Sequence, residues 1–233
     1  MSKVKTDAIE TRAGGTSVLT IGTATQTIKL PGGTPGAGKF LQSDADGDAS
    51  WATVANDVVL LSTQTASTSA SINFDNTLIT SDYKTYEFKY MNVVGSADGE
   101  RLQMKFSDDN GSNFDSNHWG GFFNIYAGSG GAHYVYDTTH DSVASDRQRV
   151  NTDLSWDAGD SLGGNMVIQN PSSTSFITTY QGSSSAISHH TPAYAYNVIT
   201  GGYWDSLAAV NYIRWEMSSG NIVTGTFQLW GYK

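Results

Sequence analysis

The chain has 233 residues, with 12% aromatic and 15% charged side chains, no Cys and a net charge of −9. Charged residues form roughly a quarter of a typical soluble protein, whereas Ser and Thr here total 53 residues, so hydroxyl groups supply most of the polarity. Abundant aromatics with few Leu, Lys and Glu favour strands and argue against a helix bundle or a Rossmann-type enzyme. The lack of Cys excludes disulfides, Cys-based zinc sites and thiol catalysis.

The charge is divided unevenly along the chain. Residues 1–40 carry five basic and two acidic side chains, while residues 41–233 carry eight basic and 20 acidic ones. An acidic body repels phosphate, so we expect no nucleic-acid partner. Apolar runs fall short of the ~18 residues of a membrane span and no apolar signal core follows Met1, so we also expect no membrane insertion.

Residues 1–37 are predicted to be an extended segment with short strands. The bulky apolar residues are sparse and follow no helical period. Those of the candidate attachment strands are Val18, Leu19, Ile21, Ile28 and Leu30. One copy buries too little surface to offset the ~1–2 kcal/mol of backbone entropy lost per ordered residue. We therefore expect this segment to order against copies of itself or a partner, with a flexible tail as the alternative.

Residues 38–57 are predicted to form a β-hairpin linker after the turn formers PGGTPGAG at positions 31–38. The hairpin has Phe40, Leu41 and Trp51 to bury. Its DADGD turn, positions 44–48, has the alternating carboxylates of a calcium loop. An EF-hand loop needs Gly at its sixth position and Glu at its twelfth. Here Gly is fourth and Ala55 is twelfth, so a solvated turn is the better interpretation.

From residue 58 onward the pattern is that of a β-sandwich. Short runs alternate apolar and polar residues, and Gly, Asn, Asp and Ser clusters separate them about every 8–15 residues. The predicted strands are residues 86–90, 102–106, 132–136, 165–169, 176–180, 193–199, 211–217 and 225–230. They predict an all-β chain in which residues 58–233 form a jelly-roll-like antiparallel knob domain. A turn around residues 205–209 is the only helical candidate.

The segment SDDNGSNF, residues 107–114, resembles an Asp-box hairpin. In that motif Asp109 hydrogen-bonds to turn amides, Gly111 takes the positive-φ position, and Phe114 packs back on the sheet. Asp-boxes recur in glycan-handling proteins, but they are structural. The motif therefore predicts a hairpin and carries no catalytic role.

The sequence holds no Gly-x-Ser-x-Gly, Walker loop or dinucleotide fingerprint. Glu occurs only at positions 10, 87, 100 and 216, outside any recognisable signature for paired-carboxylate glycoside cleavage. The histidines lack the i, i+4 spacing of zinc proteases, and His189 and His190 point to opposite faces of a strand. We therefore expect a protein that is not an enzyme, with no cofactor and no metal. A metal on a threefold axis at one of these two histidines is an alternative.

Three glycine-rich aromatic stretches are predicted to be loops: residues 117–124, 126–131 and 200–205. Flat rings beside Asn, Asp and Ser suit a sugar, because rings stack on its C–H face and polar groups bond its hydroxyls. The candidate glycan-binding residues are Trp119, Tyr126, Tyr203, Trp204 and Asp205, with Tyr203 and Trp204 the best candidates for exposure. The alternative is that these rings fill the sandwich or a subunit interface.

Three phrases carry a family resemblance. GKFLQSDADGDASW, residues 38–51, resembles the GKxLxSDxxGxxxW phrase of tail fibres and related virion proteins of tailed bacteriophages. LTIGTATQTI, residues 19–28, is similar to the repeat-like β segments of such fibres. SGNIVTGTFQLWGYK, residues 219–233, resembles the terminal strands of phage fibre knobs, which often end in Leu-Tyr-Gly and a basic residue. Trp230 stands here where Tyr is usual.

The resemblance implies a homotrimeric, non-enzymatic virion protein, made in the host cytoplasm and displayed on the particle. Residues 1–57 would attach to tail or capsid proteins or wind with the other copies, and the knob would contact a bacterial surface polysaccharide as a short tail fibre. Fibre shafts are long in this family, and this chain has at most a short one. A purely structural head fibre, capsid decoration or tail adaptor is therefore an alternative, and a polysaccharide depolymerase a lesser one.

Overall fold

The computed structural model describes residues 9–10, 17–21, 28–29, 38–43, 45, 49–53, 57–128, 131–136, 138–157, 159–188 and 194–233. The chain divides into two compact units, residues 1–56 and 57–233. This division lies one residue from the predicted start of the knob domain. None of the described residues belongs to a helix that could cross a membrane.

The first unit contains two small antiparallel sheets. β1 (Ile9–Glu10), β2 (Ser17–Ile21) and β3 (Ile28–Lys29) form one sheet, and β4 (Lys39–Ser43) and β5 (Ala49–Thr53) form the other. In the second sheet Leu41 lies opposite Trp51, so the predicted hairpin is present. Phe40 and Leu41 do not become buried as expected, since both stay more than 40% exposed. A two-stranded ribbon has no second layer of its own to cover them.

The second unit is built from β-strands joined by turns and loops. Its strands are β6 (Val58–Ser69), β7 (Ile72–Phe74), β8 (Thr85–Gly95), β9 (Leu102–Ser107), β10 (His118–Gly128), β11 (Gly131–Tyr136), β12 (Ser142–Ser145), β13 (Gln148–Arg149), β14 (Leu162–Gln169), β15 (Thr178–Ile187), β16 (Ala195–Trp204), β17 (Tyr212–Met217) and β18 (Ile222–Tyr232). The all-β, antiparallel prediction is confirmed. The helical candidate at residues 205–209 is wrong, since these residues form bends and irregular backbone.

Two sheets make up this unit. The nine-stranded sheet has the order β11-β10-β16-β15-β14-β8-β18-β6, with β12 also paired to β10, and the four-stranded sheet has the order β13-β9-β17-β7. Eight of the strands can be numbered first to eighth along the chain: β6, β7, β8, β9, β13, β14, β17 and β18. One sheet then reads first-eighth-third-sixth and the other second-seventh-fourth-fifth, which is the strand order of a jelly roll.

The remaining strands are two insertions into the jelly roll. β10, β11 and β12 lie between its fourth and fifth strands, and β15 and β16 lie between its sixth and seventh. Both insertions add to the same edge of the larger sheet, beyond β14, because β15 pairs with β14 and β10 pairs with β16. We call β10, β11, β12, β15 and β16 the extension.

The core lies between the two sheets. Phe88 of β8 contacts Phe74 of β7 and Trp215 of β17, with ring centroids 4.9 and 5.5 Å apart. Under the extension the same core continues through Phe106 of β9, whose ring lies 5.7 Å from that of Tyr180 of β15. Alternate residues of the larger sheet are therefore buried on its inner face, and the residues between them point outward.

Candidate functional site

The candidate site lies on the outer surface of the extension, where β10 and β16 pair. Their register places Trp119 opposite Tyr203, Gly121 opposite Gly201, and Phe123 opposite Ile199. Side chains directly opposite each other in an antiparallel pair share a face. Trp119 and Tyr203 are 37% and 39% exposed, and Ile199 is 53% exposed, so this face presents apolar rings and an aliphatic chain to solvent.

β10 and β16 each contain two adjacent glycines. Because strand residues alternate between faces, one glycine of each pair lies on the inner side of the sheet and the other on the outer side. On the inner side, a Cβ at Gly202 would lie 2.1 Å from the Trp119 carbonyl oxygen, and one at Gly120 would lie 2.4 Å from Gln148 Oε1. These glycines permit close packing. On the outer side, Gly121 and Gly201 form a bare floor.

The floor is bounded along the strands by larger side chains. Trp119 and Tyr203 stand on one side of the glycine pair, and Phe123 and Ile199 stand on the other. The two rows are four positions apart along each strand, which corresponds to a distance of about 13 Å. Because the Tyr136 ring lies over Gly121, a sugar ring would contact the Gly201 side of the floor, between Tyr203 and Ile199.

Tyr136 of β11 leans over this floor from the sheet edge. A Cβ at Gly121 would lie 3.7 Å from the Tyr136 ring, so the ring is in van der Waals range of the floor. The Tyr136 hydroxyl donates to Asp141 Oδ2 at 2.8 Å, and Asp141 Oδ1 accepts from the backbone N–H of Phe122 at 2.8 Å. The hydrogen bond to Asp141 raises the pKa of Tyr136. The ring is thus held in place, and Tyr134 lies beyond it with 70% exposure.

Trp119, Phe123, Tyr134, Tyr136, Ile199 and Tyr203 are together called the aromatic face. Rows of amide and hydroxyl groups adjoin it on β15 and β14. Thr179 Oγ1 donates to Gln169 Oε1 at 3.1 Å, and Ser183 Oγ donates to Asn165 Oδ1 at 3.2 Å. These cross-strand bonds fix the amides before any ligand arrives, which lowers the entropic cost of binding.

A shallow groove of about 290 Å³ runs beside Ile199. Its other lining side chains include Val167 and Gln181, so it offers an aliphatic wall and an amide together. Among the residues described for β14, β15, β16, β10 and β11, no outward-facing side chain carries a charge. On this surface the sheet offers rings, methyl groups, amides and hydroxyls alone.

A buried chain of hydrogen bonds supports the floor from inside. Tyr180 donates to Gln148 Oε1 at 3.0 Å, Gln148 Nε2 donates to Thr200 Oγ1 at 2.7 Å, and Thr200 Oγ1 donates to the Gly121 carbonyl at 3.0 Å. Since the single Tyr180 hydroxyl proton is used, His118 Nδ1 is the donor to the Tyr180 oxygen, 3.2 Å away. The chain connects β10, β15, β13 and β16.

His118 begins this chain and is fully buried. Desolvation lowers its pKa to about 3, against a smaller opposing effect of the Asp146 carboxylate. The imidazole is therefore neutral at physiological pH and serves as a fixed donor beneath the aromatic face.

The structure brings together only two of the five predicted glycan-binding residues, Trp119 and Tyr203. Trp204 is a correction: it was expected to be exposed, but it is fully buried because it follows Tyr203 in a strand and points to the core. Tyr126 also points inward, where its ring contacts those of Tyr194 and His133. Asp205 is exposed just beyond β16, where its N–H donates to the Asn117 carbonyl.

Most residues of the aromatic face were not predicted from the sequence. Phe123, Ile199, Tyr134 and Tyr136 were not among the candidates. Tyr134, Tyr136 and Ile199 lay in the predicted strands 132–136 and 193–199, to which no partner strand was assigned, whereas residues 117–124 and 200–205 were predicted to be loops. Both stretches lie largely in paired strands. Alternation within GGFFNIY, residues 120–126, was the available signal, since it places Phe123 and Ile125 on one face and Phe122 on the other.

The Asp-box turn forms the predicted bonds. Asp109 Oδ1 accepts from the N–H of Asn113 at 2.9 Å and from the Ser107 hydroxyl at 2.7 Å, which lowers the pKa of Asp109 to about 2. Gly111 has a φ of 83° and donates its N–H to Ser107 Oγ.

Phe114 packs back on the smaller sheet, where the Arg214 guanidinium lies 4.3 Å from its ring centroid. The expected hairpin is wrong. β9 pairs with β17 and β13, while β10 belongs to the other sheet, so the turn connects the two layers of the sandwich.

The other predicted positions lie in regions that the structure describes in part. Val18, Leu19 and Ile21 fall in β2 and Ile28 in β3. Leu30, His189, His190 and the three carboxylates of the DADGD turn lie outside the described residues. Among the described residues, no group of three or more His, Asp or Glu side chains could hold a metal ion. Comparisons of the chain with protein-family models, with curated proteins and with solved structures found no match.

Proposed function

We propose that this chain is a bacteriophage virion fibre protein, that three copies assemble, and that residues 57–233 bind a neutral glycan of the bacterial surface. The aromatic face with its glycine floor is the observation that carries the proposal. Residues 1–56 would attach the fibre to tail or capsid proteins.

Glycan binding is supported by the chemistry of the aromatic face. Trp119 and Tyr203 offer flat surfaces for the C–H side of a pyranose, and the neighbouring amides of Gln181 and Asn165 supply donors and acceptors for hydroxyls. A neutral ligand is favoured, because the outward-facing side chains described for the strands of this face carry no charge and the adjoining Asp141 carboxylate would repel an anion. Removal of the ring faces from water also makes their contact with the C–H side of a sugar favourable.

The virion role is supported by the three sequence phrases and by their order along the chain. The first phrase, residues 38–51, spans β4 and most of β5, and the last, residues 219–233, contains β18. β18 is a central strand of the jelly roll, between β8 and β6. Both phrases thus coincide with structural elements.

A purely structural role is the second candidate. Exposed contiguous apolar patches also mark interfaces between protein copies. Tyr134 and Tyr136 lie on β11, which ends the order of the nine-stranded sheet, so a second copy could approach the aromatic face at that edge. Under this reading, the rings would be covered in the assembled virion.

Binding of the full chain to a glycan array, followed by calorimetry with the best ligand, tests the proposal. We expect Trp119→Ala and Tyr203→Ala each to weaken binding about tenfold or more, because each removes a stacking ring. Leu207→Ala is the matched control, since Leu207 is exposed outside the aromatic face. Its affinity should not change.

Three outcomes would contradict the proposal. A clean monomer by light scattering, instead of three times the 25.0 kDa chain mass, would reject the trimer. A fall in mass on substitution of Trp119 or Tyr203, without glycan binding by the parent chain, would favour the structural role. Release of oligosaccharides from host polysaccharide would indicate a depolymerase.

A further inference from the structure

A second cavity lies at the end of the sandwich where β8 begins and β14 ends. Its volume is about 300 Å³, which matches the small end of ligand-binding pockets. Residues from the two loops before β8 and before β15 line it. They comprise four serines, Asn170, Lys84 and the rings of Tyr83 and Phe176.

The walls of this end cavity are held by hydrogen bonds between the two loops. The N–H of Asn170 donates to the Lys84 carbonyl at 2.8 Å, and Ser172 Oγ donates to the Thr80 carbonyl at 2.7 Å. Ser173 Oγ accepts from the N–H of Phe176 at 2.9 Å. The cavity is therefore preformed, and a ligand need not order its walls.

The rings of the cavity differ in position. Tyr83 is half-buried, and its ring packs against the sheet so closely that a Cβ on Gly231 would lie 2.5 Å from it. Phe176 is 69% exposed at the rim. Tyr83 is thus a fixed wall, whereas Phe176 offers an uncovered ring face to anything that enters.

Lys84 is the one charged side chain among the described residues that line the cavity. It is exposed, and it forms no ion pair with a described acidic residue, although Asp82 lies two positions away. In a chain with 22 acidic and 13 basic side chains, a cation beside serine hydroxyls and an open ring is suited to an anionic ligand that also carries hydroxyls.

We propose that the end cavity binds a single sugar residue that carries a carboxylate, such as a uronic acid. The Lys84 ammonium pairs with the carboxylate, the serine hydroxyls and the Asn170 side chain bond the ring hydroxyls, and Phe176 covers the C–H face of the ring. This site is separate from the aromatic face, and its ligand class differs from the neutral glycan proposed there.

Saturation-transfer NMR and calorimetry on the full chain test the site with three small probes at millimolar concentrations. The probes are methyl glucuronide, methyl glucoside and acetate, which separate the acidic sugar from its neutral counterpart and from a bare carboxylate. We expect binding of the glucuronide that exceeds binding of either other probe by about tenfold, because ammonium and hydroxyls act together only on the first.

Variants then locate the binding. Lys84→Gln and Phe176→Ala should each weaken glucuronide binding about tenfold. The matched controls are Lys89→Gln, which removes a lysine of β8 outside the cavity, and Leu207→Ala, which removes an exposed apolar side chain. Neither control should change the affinity, and circular dichroism checks that all variants fold.

Equal binding of glucuronide and glucoside, binding of acetate as strong as that of glucuronide, or no binding of glucuronide would overturn the proposal. Retained binding by Lys84→Gln would do the same. Trp119→Ala should leave glucuronide binding unchanged, so failure of the end cavity and failure of the aromatic face give different results.

Discussion

The outer surface of the nine-stranded sheet has two regions that differ in how their rings are covered. On the jelly-roll strands, Lys89 of β8 extends over the ring of Trp230, 5.2 Å from its centroid, and also lies 3.7 Å from Glu87. On the extension, Trp119 and Tyr203 have no such cover among the described residues. Long charged side chains commonly shield apolar surface with their stems.

The two regions share one sheet and one core, so the difference does not arise from packing requirements. A jelly roll needs only its inner face to be apolar, and the outward-facing side chains of β8 include Glu87 and Lys89 beside one exposed apolar residue, Met91. The extension is apolar on parts of both faces. Its outer rings therefore indicate a surface that contacts another molecule.

The largest expected effect separates the two faces of β16. Trp204→Ala should destabilise the fold by about 3–5 kcal/mol, because it empties a buried site against Phe106. Tyr203→Ala, one residue earlier, should cost less than about 1 kcal/mol. Urea unfolding followed by circular dichroism measures both, and equal losses would mean that Tyr203 is buried too.

A second comparison separates the inner from the outer glycines. Gly202→Ala should cost about 2–3 kcal/mol, since its Cβ would meet the Trp119 carbonyl and the Gly120 Cα, both in a paired strand. Gly121→Ala should stay within about 0.5 kcal/mol, because its nearest neighbour is the Tyr136 ring in ordinary contact. Thermal and urea unfolding give the two values. A neutral Gly202→Ala would contradict the register of β10 and β16.

A third prediction concerns pH and the support beneath the aromatic face. The folded pKa of His118, about 3, lies below the ~6.5 of an exposed histidine, so only the unfolded chain gains this proton between those values. The free energy of unfolding should therefore not depend on His118 above pH 6.5. Between pH 6.5 and pH 3 it should fall by up to about 1.4 kcal/mol for each pH unit. Urea unfolding at several pH values measures the slope.

His118→Gln is the matched variant for this slope, because it keeps a donor near Tyr180 but cannot titrate. Its stability should lose that dependence between pH 4.5 and 6.5, whatever its absolute value. The Asp109 pKa is lowered from 3.8 to about 2, so the stability linked to that carboxyl is lost only below pH 3.8. If the pH dependence of stability between pH 4.5 and 6.5 remained in His118→Gln, it would have to come from another titrating group.

The smallest expected effect on stability comes from adding one charge to each outer region. Ile199→Lys and Thr65→Lys both alter exposed positions, so each should change the free energy of unfolding by less than about 0.5 kcal/mol. Only Ile199→Lys should weaken glycan binding, by tenfold or more, because it places a charge beside the glycine floor. Equal effects on binding would mean that the extension has no special role.

Period-two alternation was enough to predict the sandwich. Tyr86 to Tyr90 and Leu102 to Phe106 alternate because one face of each strand packs in the core, and the structure has β8 and β9 there. β10 escaped prediction because Gly120 and Gly121 interrupt the pattern, and glycine pairs usually indicate turns. What makes them strand residues is close contact with Gln148 and β16, which lies far away in sequence.

The Asp-box turn and Trp204 show where local reasoning ends. The bonds of Asp109 are made within five residues of it, so the sequence predicted them. Which strands flank the turn depends on distant partners, and the expected hairpin was wrong. Trp204 and Tyr203 were both expected at the surface because a loop places no constraint on neighbours, whereas a strand sends them to opposite faces.

The two-insertion origin of the extension also has a consequence for the order of folding. Thr200 bonds to Gly121 across 79 positions, and contacts of such long sequence separation close slowly. The aromatic face does not exist in either insertion alone. During synthesis, its two halves can join only after residue 204 has left the ribosome. Until then the rings and the unpaired edge of β10 stay uncovered on the unfinished chain, which lengthens the time during which these segments can aggregate.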